Sequence, residues 1–164
     1  MIAAAQALLQ CARASKVPIV HVRIAFRPDY ADLLGNAPIF RNVAAIGAVV
    51  EGTWGARFYE TLAPDMGSVN EFVVKHTRVN AFYGTQLEEI LRVLGAQRLV
   101  VAGVATHSVV ESTVRHAVDI GYEVMVAASA CASAGQAEHE ASLNSMRLIA
   151  EVLEGEAALQ RLAG

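Results

Sequence analysis

The chain has 164 residues, of which 54% are hydrophobic, 18% charged and 6% aromatic, with a formal net charge of −3. That length suits a single domain, residues 1–164, with a sizeable core. No apolar run reaches the roughly 18 residues of a membrane span, and there is neither a basic face nor an aromatic platform to hold nucleic acid.

The surplus of apolar residues predicts parallel strands buried on both faces and a homo-oligomeric interface, in a dimer or a tetramer. Cys11 and Cys131 form no CxxC pair and no disulfide framework, so a reduced, cytoplasmic protein is expected.

Residues 2–15 are strong helix formers that bring Ile2, Leu8, Leu9 and Ala12 near one face, which predicts a first helix. Lys16-Val17-Pro18 stops it, and residues 19–24 read as a strand. Residues 26–50 hold Pro28, Gly35, Asn36, Pro38 and Gly47 and are expected to loop, with short helical pieces at most. A turn at Gly52-Thr53-Trp54-Gly55 leads into a short helix over 56–62. A strand is predicted over 72–75, and Thr85 with Glu88 has capping-box spacing ahead of a helix over 86–94 that Gly95 closes. A strand over 98–104, a helix over 108–120 closed by Gly121, a strand over 123–128 and helices over 138–153 and 156–162 complete the order. Strands alternating with helices of this length predict a three-layer α/β/α fold on a parallel sheet.

The strand over 98–104, the small-residue turn after it and the helix from Ser108 form the kind of junction where open α/β sheets place their chemistry. The first helical turn presents unpaired N–H groups and a positive dipole end, which stabilise an anion. The stretch GVATHSVVESTVRHA across this junction resembles the signature of the isochorismatase-like (cysteine hydrolase) family, Gly-Val-x-Thr-x-x-Cys-Val. The resemblance extends over nearly the whole chain, through GTWGARFYETLAP and FVVKHTRVNAFYGTQLEEIL.

This resemblance implies a hydrolase of small molecules with an Asp, Lys, Cys triad, in which Asp and Lys deprotonate the thiol for attack on an amide or related carbon. The motif cysteine falls at Val109, whose isopropyl group can neither attack nor ionise. A vinyl-ether branch of the family also lacks the cysteine and works by protonation from the aspartate. The family's opening strand, which carries that aspartate, has no counterpart here, and Asp29 follows a different strand. The expectation is that the natural protein begins upstream of Met1, or that another segment or subunit fills the gap in the sheet.

Lys75 matches the triad lysine and ends its predicted strand, so partial desolvation is expected, with a lowered pKa or a carboxylate partner. His107 is a candidate hydrogen-bond donor or general acid, or else faces solvent. Ser108, beside the vacant position, is a candidate substitute nucleophile or substrate contact, or else a cap, since Ser108 and Glu111 have capping-box spacing that commits the hydroxyl to the backbone. The N–H groups of Ala105 and Val109 are the expected cradle for an oxyanion or carboxylate. By resemblance, Thr106 is the motif threonine and the bond before Ala105 is cis. Trp54 and Phe82 correspond to aromatic pocket walls or to core packing. His21, His76, His116 and His139 show no ligand spacing and the Asp-x-His pattern of the nicotinamidase branch is absent, so no metal or cofactor is implied. Two functions stand: a hydrolase acting on a vinyl ether, amide or related C–N bond, impaired or inactive as the chain stands, and a non-catalytic family member serving as a ligand-binding or structural oligomeric scaffold.

Overall fold

In the computed structural model, which describes residues 1–163, the alanine-rich opening segment forms α1 (Ile2–Ala14), and the β-branched run after Pro18 forms β1 (Ile19–Ile24). The Pro- and Gly-rich region contains one helix, α2 (Pro38–Ala45), with Pro38 in its first turn, where a missing N–H costs nothing. Single 3₁₀ turns follow at Trp54–Ala56 and Glu60–Leu62, in place of the continuous short helix expected over 56–62. The remaining elements are β2 (Glu71–His76), α3 (Leu87–Val93), β3 (Arg98–Val104), α4 (Glu111–Asp119), β4 (Glu123–Ala132), α5 (Gln136–Met146), β5 (Glu151–Leu153) and α6 (Gly155–Ala163).

The helix expected over 138–153 is therefore corrected. It stops at Met146, and Glu151–Leu153 pair in parallel with Met125–Ala127 of β4. A three-residue strand leaves no periodicity of its own, and its identity comes from the neighbour it pairs with.

All strand pairs are parallel, and β4 lies between two layers of helices. Successive residues of β4 face opposite sides up to Ala128, beyond which the register with β3 is shifted. Val124, Val126 and Ala128 join a large core with Leu87, Leu91, Val114, Leu143 and Met146, while Ala127 and Ala130 meet Ala158 of α6 and Leu8 of α1. This is the three-layer α/β/α arrangement.

The sheet is in two parts, β1 with β2 and β3-β4-β5. Val20 and Val22 of β1 and Leu99 and Val101 of β3 belong to the same hydrophobic cluster, yet no ladder joins the two strands among the described residues. Each keeps one unpaired edge, and most residues of both are only half-buried, whereas β4 is buried almost throughout. The β3/β4 register slips between Val101 and Gly103. Gly103 sits at φ +136°, a conformation that a side chain would strain even though the space beside it is open.

Candidate functional site

The chain leaves β3 at Val104, crosses a cis peptide to Ala105 and enters a π-helical turn, Thr106–Val110, that runs directly into α4. Ala105, Thr106, His107, Ser108 and Val109 are thereby gathered at the C-terminal end of the sheet. The carbonyl of Ala105 accepts the N–H groups of Ser108 and Val110, at 3.1 and 3.3 Å.

The capping box expected at Ser108 does not form, and neither N-cap residue, Ala105 for the turn or Val110 for α4, caps its helix with a side chain. Because the turn is wound wider than an α-helix, its closing contacts are made from α5 instead. Glu111 accepts Arg115 at 2.7 Å and Ser142 Oγ at 2.6 Å. Its carboxyl is held below the usual range, with these bonds overcoming the opposing effect of burial. Thr106 is completely buried, and its hydroxyl lies 2.8 Å from Nδ1 of His139 on α5. The box expected at Thr85 is half-formed. Thr85 Oγ1 accepts the Leu87 N–H at 3.2 Å, but Glu88 pairs with Arg92 instead.

His107 is exposed, with Nδ1 2.8 Å from Ser133 Oγ. Val109 packs against the main core and carries no polar atom toward the turn. Lys75, the penultimate residue of β2, is 38% exposed at its side chain and donates to Glu51 Oε2 at 3.0 Å. The other oxygen of Glu51 accepts Arg23 at 3.2 Å, and the two cations, Lys75 first, hold the Glu51 carboxyl below its ordinary range. The carboxylate partner expected for Lys75 is therefore found, while the desolvation is not.

Of the two aromatic candidates, Trp54 is 85% exposed and Phe82 is core, stacked on His116 at 4.9 Å and on Tyr122 at 6.4 Å. Neither contacts the turn through a ring pair. Asn80 ties the loop after β2 to α4, donating to the Ser112 carbonyl at 3.2 Å while its own oxygen accepts the Phe82 N–H. Two cavities lie away from the turn. One, of about 400 Å³, opens at the start of β3 and β4 between Arg98, Arg147 and Arg161, and another, of about 330 Å³, lies between α1, β4 and α6. Among the described residues no helix is long and apolar enough to cross a membrane, and no group of three or more His, Cys, Asp or Glu is placed to hold a metal ion.

Glu51, Ser133 and Ser142 carry no signal in the sequence, and His139 stands there only as a histidine without ligand spacing. They reach the site from 24 to 36 residues away in sequence, and no local spacing announces them.

The isochorismatase domain model matches residues 1–157. An isochorismatase family protein of Escherichia coli O157:H7 is 32% identical over 132 residues, covering 80% of this chain and 66% of its own length. A ureidoacrylate amidohydrolase of Methylorubrum extorquens is 30% identical over 165 residues, covering 90% of this chain and 65% of its own. The chain thus spans just under two thirds of the length of these relatives. The crystal structure of an isochorismatase family protein from Desulfovibrio vulgaris superposes with a TM-score of 0.84 at 29% identity, over 96% of this chain and 80% of that one. A family match over nearly all of the chain, on a fold that presents the motif turn at the end of its sheet, means that the chain belongs to the isochorismatase family of hydrolases.

Proposed function

We propose that the chain binds a small molecule bearing a vinyl ether, an amide or a related C–N bond at the turn after β3, and that the family's thiol chemistry is impaired or absent in it. The observation that carries this reading is Val109. It stands on the π-helical turn where the motif has its cysteine, and it is packed into the core. Of the two catalytic positions of the resemblance that fall within this chain, Lys75 is filled and Val109 is not, and Lys75 is bound to Glu51. The N–H groups of Ala105 and Val109 survive any change of side chain and remain the cradle for a carboxylate or oxyanion. The amidohydrolase among the relatives supports a C–N bond as the substrate class. A further parallel strand between β1 and β3, carrying the missing acid, belongs to the same reading, and the two open inner edges support it.

The test is turnover of isochorismate and of a panel of small amides by the parent, Lys75→Ala and Val109→Cys. Losing a triad as a unit costs on the order of 10⁴-fold or more, so parent turnover is expected to be at least that far below an ordinary enzymatic rate. Parent turnover at an ordinary enzymatic rate that Lys75→Ala abolishes overturns the reading.

The second reading, a non-catalytic oligomeric scaffold, is favoured by apolar side chains left bare: Trp54, Val69 and Leu148 are 85%, 88% and 90% exposed. Light scattering on the purified chain tests it. A monomer at all concentrations removes the oligomer from this reading.

A further inference from the structure

Ser133 follows β4 directly, and the register that pairs Val104 with Ala132 sets it level with the turn. Its Oγ lies 2.8 Å from Nδ1 of His107 and 3.4 Å from the His107 backbone nitrogen. A backbone N–H can only donate, so the serine oxygen accepts that bond. With the ring proton on Nε2, Nδ1 accepts the single hydroxyl proton of Ser133; with it on Nδ1, the second lone pair of the serine oxygen accepts instead. A serine hydroxyl donating to a neutral imidazole is the resting arrangement of a base-activated nucleophile. Both residues sit at the C-terminal end of the sheet, where open α/β folds take their ligands. His107 is exposed and Ser133 half-buried, so a solute can reach the pair.

We propose that Ser133 and His107 form a nucleophile and base pair that makes, on activated esters and amides, the attack that Val109 cannot make. This rests on the reading that the end of the sheet takes small carbonyl compounds. Ser133 Oγ bonds to the carbonyl carbon as its proton passes to Nδ1 of His107, and the carbonyl π pair moves onto oxygen. Collapse of that intermediate breaks the bond to the alcohol or amine, which leaves with the proton from His107. Water then attacks the acyl-serine, gives one proton back through His107 to Ser133, and the acid is released; the net reaction consumes one water. The N–H groups of His107, Ser108 and Val110 are already bonded, so those of Ala105 and Val109 are the candidate donors to the oxyanion.

A serine that merely receives the His107 N–H would be a structural cap, and the experiment separates the two roles. The full chain is treated with a fluorophosphonate probe, which Ser133 Oγ attacks at phosphorus with loss of fluoride, and the labelled peptide is mapped by mass spectrometry. The expected result is label on Ser133, absent in Ser133→Ala and slowed about 100-fold or more in His107→Ala, with circular dichroism unchanged. Ser133→Cys guards against a loosened turn: its thiol is expected to react with iodoacetamide at a rate that also falls in the His107→Ala background. No label on Ser133 in the folded parent, or labelling indifferent to His107→Ala, overturns the proposal. Should Ser133 stay unlabelled while Val109→Cys still gains amidase activity, the pair fails and the proposed function survives. Should Ser133 be labelled while no member of the substrate panel is bound or turned over, the pair stands and the proposed function fails.

Discussion

Lys75 and Glu51 are partners across 24 residues of sequence, Nζ to Oε2 at 3.0 Å, and Arg23 occupies the other oxygen of the same carboxylate at 3.2 Å. With side chains 38% and 41% exposed, this pair adds little to stability. Its effect is on the availability of the amine. In Glu51→Gln the thermal midpoint is expected to hold, while Lys75 reacts faster with an amine-directed acylating reagent. Lys16, the other lysine of the chain, serves as the internal reference in the mass spectrum. An unchanged Lys75 to Lys16 ratio counts against the pairing in solution.

Glu71 is the opposite case, a carboxylate with its side chain only 3% exposed. It accepts Arg13 at 2.8 and 3.0 Å, lies 2.8 Å from His21 Nε2 and accepts the Asp65 N–H at 2.9 Å. These bonds, Arg13 foremost, hold its carboxyl at about 2, against the opposing effect of burial. A carboxyl lowered on folding contributes stability above its unfolded pKa, and that contribution is lost as pH falls through the folded value. Urea unfolding is therefore expected to weaken between about pH 5 and pH 2, by on the order of 2 kcal/mol from this group. Glu71→Gln should flatten that slope; an unaltered slope places the acid sensitivity elsewhere.

Thr106 is the fully buried polar residue of the turn, and its hydroxyl meets His139 alone among the side chains. Replacing it by valine keeps the volume and orphans the imidazole nitrogen, at a cost of about 1–3 kcal/mol. Thr106→Ser keeps the bond and should recover most of that loss in urea unfolding. Equal losses in both variants would assign the effect to packing of the methyl group.

Cys131 is 4% exposed, and burial pushes its thiol up to about 11. Only about one molecule in a thousand then carries the thiolate near pH 8, and access is closed as well. A thiol reagent is expected to leave Cys131 untouched in the native protein and to titrate it on unfolding. Fast native modification of Cys131 would show that the end of β4 opens readily.

What could be read from the sequence was what is local. The helix over residues 2–15, the strand after Pro18 and the strand before Gly103 each carry their own periodicity, and the turn residues Ala105 to Val109 are contiguous, so the motif delivered them together. β5 was absorbed into a helix because three residues acquire strand identity only by lying beside Met125–Ala127. The spacing of Ser108 from Glu111 allows a cap, but the wider π-helical winding sends the carboxylate of Glu111 to Ser142 on α5. The partners of Lys75, His107 and Thr106 depend on which strands and helices become neighbours, and no spacing along the chain encodes that.

The seam between β1 and β3 also sets how the molecule comes apart. Cooperativity along a sheet travels through its backbone ladder, and here the ladder stops between the half that carries Lys75 and the half that carries the turn. Where no further strand fills that seam, the two halves should exchange amide hydrogens as separate units, with the β1-β2 ribbon opening at lower free energy than β3-β4-β5. A solute that grips Lys75 and the turn at once would rivet them, and the two protection levels would merge into one. Occupancy of the site could then be followed by hydrogen exchange in the absence of any turnover.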